Sequence, residues 1–230
     1  MAKSLLIKDT TQTSNFVVLY MKSKEFDKIS DAARRKISKQ RGWHQTSYMN
    51  WTIKKGYFFG LFNSVLTTST LQVKPVYVDT LWWEIFCPGE KMSNSLRANG
   101  AFSACPDSIV EINVFPRSKP TDYPIEFFDS TWNRVFCEAE THIDNFISEH
   151  PDAEKYFIDN QRQEILYLMP RIHNEMHKEV IDYIAERFAN GKHGSYGSGG
   201  KMTFDYIIEW YEQHYPGVIP QSLINQINKN

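Results

Sequence analysis

Cysteine is scarce in this chain. Its 230 residues include three, Cys87, Cys105 and Cys137, with no C-x-x-C spacing, which excludes a disulfide framework or a zinc knuckle as the source of stability. Reduced thiols fit a cytoplasmic protein. Long hydrophobic runs are missing too: the apolar stretches at 5–7 and 16–21 are too short for a signal-peptide core or a bilayer span, so no membrane association is expected. Signatures of catalysis and cofactor binding are equally thin. There is no G-x-S-x-G elbow, no zinc finger and no RRM-type aromatic signature, and no cofactor is implied. Internal repeats are absent.

What is present is enough to fold. Apolar residues make up 41% of the chain, aromatic residues 14% and charged residues 23%, a composition of globular proteins and not of disordered tails. The length suits one domain, here expected to span 1–230, with a sheet-bearing part at 1–116 and a mostly helical part at 117–230 packed on it. Net charge is −1, but unevenly spread: residues 1–60 hold 12 Lys and Arg against 4 Asp and Glu, and residues 61–230 hold 14 against 23. Such an asymmetry serves either an acidic partner of the basic end or an attraction between the two ends of one molecule.

The pattern of apolar residues sets the elements. Phe26, Ile29, Ala33 and Ile37 recur at helical spacing between a Ser23 cap and a Gly42 stop, predicting a helix with one narrow apolar stripe. Opposite the stripe, Lys24, Lys28, Arg35 and Lys39 fall together, interrupted by Asp31. From Trp43 the period changes to two: Met49, Trp51 and Ile53 alternate with polar neighbours, Lys54-Lys55-Gly56 reads as a turn, and Tyr57-Phe58-Phe59 opens a second strand. A Thr-Ser-Thr turn at 68–70, a third strand at 71–78 bulged or edged by Pro75, a fourth at 81–86 and a fifth at 109–115 complete an antiparallel meander. Beyond three prolines, Ile125, Phe128, Trp132, Val135, Phe136, Ala139, Ile143 and Phe146 mark a wide helical face ending before Pro151. The pattern stays helical over 152–189, with a break expected near Met169 because Pro170 lacks a donor. A glycine-rich loop at 191–200 precedes a last helix from Thr203 to His214, and the residues after Pro216 read as loosely held.

Three patterns bear on chemistry. His173 and His177 stand at i and i+4, where one helix face would present both to a metal, with Glu138 and His142 as further ligands from the preceding helix. The order His-x-Glu-x-His departs from the zinc-protease pattern, in which the glutamate follows the first histidine. Residues 194–201 invite comparison with a phosphate-binding loop, but Ser195 replaces its first glycine, Met202 replaces its hydroxyl, and a helix precedes it. The basic row of Lys24, Lys28, Arg35 and Lys39 is long enough to track phosphates, with Trp43, Tyr48 and Trp51 as aromatic neighbours. Adjacent Trp82 and Trp83, read on a strand, would give one sticky face.

The expected fold is therefore α+β: an N-terminal helix on an antiparallel meander of four to five strands, followed by a helical C-terminal half. The expected function is a non-enzymatic, cytoplasmic module that binds another protein through Lys24, Lys28, Arg35 and Lys39. The alternatives are nucleic-acid binding by the same helix, and a metal-dependent hydrolase or nuclease using His173, His177, Glu138 and His142.

Overall fold

The computed structural model describes residues 23–46, 49–65, 67–98, 106–115, 127–157, 163–195 and 197–227. Helix α1 (Ser23–Gln40) forms where its stripe requires, burying Phe26, Ala33 and Ile37 and leaving Lys24, Lys28, Arg35 and Lys39 exposed. Gly42 follows with φ +73°, the left-handed stop its sequence position suggested.

Five antiparallel strands follow: β1 (His44–Gln45), β2 (Met49–Lys54), β3 (Tyr57–Val65), β4 (Thr68–Pro75) and β5 (Asp107–Asn113), paired in chain order. Lys55 and Gly56 both adopt positive φ, the geometry of a two-residue turn whose twist matches the strands it joins. This fixes the β2–β3 register, Lys54 opposite Tyr57 and Met49 opposite Phe62. A Cβ at Gly56 would also press on the neighbouring turn, standing 3.0 Å from Ala153 Cβ.

With the register set, the two sheet faces separate. Tyr57, Phe59, Leu61, Leu71, Val73 and Ile112 face one core, closed by α1 and by α3 (Phe127–Glu149). The predicted face of α3 is buried there from Phe128 to Phe146. Phe26 meets Phe128 and Phe115 edge to face at 4.9 and 5.1 Å. Met49, Trp51 and Phe58 occupy the opposite face with Ala98.

The remaining elements build a second core. Helix α2 (Val76–Phe86) packs with α4 (Glu164–His173), α5 (His177–Ala189), α6 (Thr203–His214) and α7 (Gln221–Ile227). Of the helical half, α3 closes the sheet, whereas α4 to α7 gather around α2. The two cores are joined at Tyr156, which packs on both, and by the Gln163 amide donating to Asp107 at 2.9 Å. Among the described residues no helix is long and apolar enough to cross a membrane.

Four local expectations are corrected. Residues 76–86, read partly as strands, are helical. Their β-branched and aromatic side chains favour a strand intrinsically, but Pro75 ends β4, the Val76 amide donates to the Gly56 carbonyl at 2.8 Å, and Val78, Leu81, Trp82, Trp83, Ile85 and Phe86 are all buried in the helix. Trp82 and Trp83 thus form core and not a sticky face. Residues 68–70 are in β4 and not in a turn, because Thr68 already pairs with Val65, and the bulge falls between Leu71 and Gln72 instead of at Pro75. Pro170 lies inside α4, and the break comes later, at 174–176, where Glu175 has φ +56°; a proline near a helix end removes only one intrahelical bond. Finally, the described part of the stretch after Pro216, residues 217–227, is anchored, with Ile219 and Leu223 buried in the second core.

Candidate functional site

Helix α1 sorts its charges into two groups. On the flank facing α3, Lys36 pairs with Asp129, and Arg41 with Glu140 at 2.6 Å. The hairpin adds Lys54 to Asp144 at 3.5 Å. Arg34 is buried, donating to Asn50 on β2 and to Asp31. On the solvent face Arg35 shares Asp31 at 2.6 Å, while Lys24, Lys28 and Lys39 have no carboxylate partner among the described residues. Burial tends to raise the Asp31 carboxyl, but the hydrogen bonds and charges of Arg34 and Arg35 outweigh it, holding the group below its ordinary value.

The aromatic neighbours of this row point elsewhere. Trp43 is buried against Phe136 at 5.2 Å with its indole donating to Glu140 at 3.1 Å. Trp51 lies on the opposite face of the sheet, stacked between His44 at 4.3 Å and Phe58 at 5.7 Å. Tyr48 falls outside the described residues, as does Cys105.

The histidine pair does not share a helix face. His173 ends α4 and His177 begins α5, so the break at 174–176 intervenes. His173 stacks on Tyr77 at 4.0 Å and meets Glu154 at 2.5 Å. His177 faces away to the Tyr211 hydroxyl at 3.2 Å and the Tyr215 ring at 4.5 Å. Glu138 pairs with Arg134 along α3, and His142 is half-buried on the same helix. Among the described residues no three His, Cys, Asp or Glu side chains come together as a metal would need.

The glycine-rich loop is a small hairpin, β6 (Gly197–Ser198) with β7 (Lys201–Met202). Gly194 (φ +106°) lets the chain cross the start of α6, where a Cβ would stand 2.3 Å from Thr203 Cβ. Before the hairpin, Ser195 donates to Glu164 Oε1 from both its amide and its hydroxyl, each at 2.8 Å. Together these residues border a cleft of about 680 Å³, lined by Glu164, Tyr183, Arg187, Lys192, Ser195 and Met202 among others. Burial pushes the Tyr183 phenol up, Glu164 adds to the rise, and Arg187 opposes it. Sequence reasoning reached only the loop: α4 and α5 contribute the rest, and no local pattern links three distant segments.

A second arrangement had no sequence signal. Lys74 at the end of β4 is fully buried and donates to Asp79 in the first turn of α2 and to the Arg97 carbonyl, both at 2.8 Å. Arg97 in turn reaches Asp79 at 3.4 Å. Its partners are structural, tying strand, helix and the following 3₁₀ turn (Leu96–Ala98) at one corner.

No protein family, curated protein or solved structure matches this chain.

Proposed function

We propose that the protein is a non-enzymatic, cytoplasmic binding module that docks an acidic segment of another protein on the outer face of α1. The supporting observation is the division of charge on that helix: cations facing α3 are consumed by carboxylates of the same chain, whereas Lys24, Lys28 and Lys39 are exposed without one among the described residues. Unpaired charge at a surface speeds encounter with an opposite patch and fixes its orientation. Cys87 and Cys137 carry free thiols, in keeping with a reducing compartment. The nucleic-acid alternative is weakened because Trp43 and Trp51, the two described aromatic neighbours of the basic row, are buried and give it no stacking platform.

The test is recovery of a stoichiometric partner from the native source with the wild-type chain and its loss with Lys24→Glu, Lys28→Glu and Lys39→Glu combined. Recovery of the same partner by both proteins overturns the reading. Retardation of DNA by the wild type, with log K falling against log salt by a slope of about −3.6 for four phosphates, overturns it in favour of nucleic acid.

A further inference from the structure

We infer that the cleft between α4, α5 and the 197–202 hairpin binds a small organic anion with an apolar, planar body. Its volume of about 680 Å³ falls in the range that holds small ligands, roughly 300–1,000 Å³. It opens at the surface beside the second core, apart from α1, so the inference does not rest on the docking face.

The charge around this cleft is unbalanced by pairing. Elsewhere in the helical half, cations have found acids: Lys178 with Asp182, Lys201 with Glu209, Arg171 with Glu179. Arg187 and Lys192 have no carboxylate partner among the described residues, and both border the cleft. The one acid on the wall, Glu164, is already engaged by the amide and hydroxyl of Ser195. An incoming anion therefore meets two cations, the Arg187 guanidinium held over Tyr183 and the exposed Lys192 ammonium, against the single Glu164 carboxylate among the described lining residues.

The shape of these groups narrows the ligand further. Tyr183 and Arg187 stand one helical turn apart on α5 and thus on one face, with the Arg187 guanidinium 4.9 Å from the Tyr183 ring centroid. Stacking pre-orients the planar fork, which matches the paired oxygens of a carboxylate or phosphate. Lys192 is exposed and adds a point charge at the rim. Met202, at 36% one of the exposed large hydrophobic side chains, offers apolar surface to the ligand's body, and Tyr183, buried beneath the guanidinium, holds Arg187 in place. A polarizable thioether adapts to rings of varied outline.

The intact protein is to be titrated with 8-anilinonaphthalene-1-sulfonate and, separately, with the uncharged N-phenyl-1-naphthylamine. The sulfonate is expected to bind saturably at one equivalent. Arg187→Gln with Lys192→Met should weaken it by about tenfold or more, the usual worth of a hydrogen bond to a charged group, and leave the uncharged probe unchanged. Benzoate and phenyl phosphate should displace the sulfonate, their order identifying the preferred head group. Lys192→Met alone, on an exposed side chain that cannot disturb the core, should weaken the sulfonate by about threefold at low salt, and carries the test if the double variant fails to fold by circular dichroism. Unsaturable sulfonate binding, equal affinity for both probes, or unchanged affinity in these variants overturns the site. The triple charge reversal on α1 should leave sulfonate binding intact, so failure of the docking face and failure of the cleft are read separately.

Discussion

Arg41 and Glu140, 99 residues apart in the chain, form an ion pair at 2.6 Å between the end of α1 and the middle of α3. The other Glu140 oxygen accepts from the Trp43 indole at 3.1 Å. One carboxylate thereby satisfies two donors from the basic end, and with Lys36–Asp129 and Lys54–Asp144 it neutralises part of the positive charge of the first sixty residues against α3.

Glu140→Ala removes both acceptors at once and leaves the Trp43 N–H without a partner beside a buried ring. The expected loss is about 1.5–3 kcal/mol, the worth of hydrogen bonds to a charged group that is only partly exposed. Urea denaturation checks it. Lys36→Ala, at a pair with both side chains about half exposed, should cost under about 1 kcal/mol.

Asp79→Asn should be far more damaging. The carboxylate faces Lys74 and Arg97 at a corner where Lys74 and Asp79 are fully buried, and removing a partner from a buried ion cluster typically costs about 3–5 kcal/mol. Lys74→Met should cost clearly less, because Asp79 keeps Arg97 and the methionine fills the space against Phe58, whose ring centre lies 5.1 Å from the ammonium. Equal costs in denaturant would show that the carboxylate does not hold the corner together.

The legibility of this fold follows from what each segment's neighbours contribute. Helix α3 could be read because its wide stripe carries its own period, and the β2–β3 hairpin because Lys55-Gly56 encodes its turn locally. Helix α2 could not: it is apolar on nearly every side, so periodicity is silent, and its Val, Tyr and Trp content argues for a strand until the second core is in view. The histidine pair misleads for a related reason. Spacing of four implies a shared face only in an unbroken helix, and the interruption is set by Glu175, a residue with no turn-forming signature. The cleft was legible only at its loop, since Glu164 and Arg187 reach it through tertiary packing.

Alkaline pH should destabilise the protein in a window set by its buried phenols. Burial, with the nearby Tyr156 and Asp152, pushes Tyr57 up to about 12, and burial raises Tyr77 and Tyr211 further. A phenol whose folded pKa exceeds the unfolded value of about 10 favours the folded state while protonated. Stability is then intact below pH 10, declines as pH rises from there, and has lost the Tyr57 contribution above about 12. Tyr57→Phe forfeits the bond to the His150 carbonyl at 3.0 Å, costing about 1 kcal/mol at neutral pH, but should flatten the decline. Denaturation midpoints measured from pH 8 to 11 give the comparison; an unchanged slope would locate the alkaline sensitivity elsewhere.

Two buried tryptophans make an internal control for the cost of an unpaired donor. Trp132 is 5% exposed and its indole donates to Ser30 Oγ at 3.1 Å, whereas Trp51 is 6% exposed and its Nε1 has no partner among the described residues. Replacement by Phe removes similar area at both sites, but at Trp132 it breaks a made bond and strands the Ser30 hydroxyl. At Trp51 it deletes a donor that already bears its desolvation cost, and the ring stack on His44 can be kept by the smaller aromatic ring. Trp132→Phe should therefore be more destabilising than Trp51→Phe by about 1 kcal/mol or more. Equal losses in urea would mean that the Trp51 N–H gains an acceptor in solution, such as a bound water, and that its strand face is more open than the packing indicates.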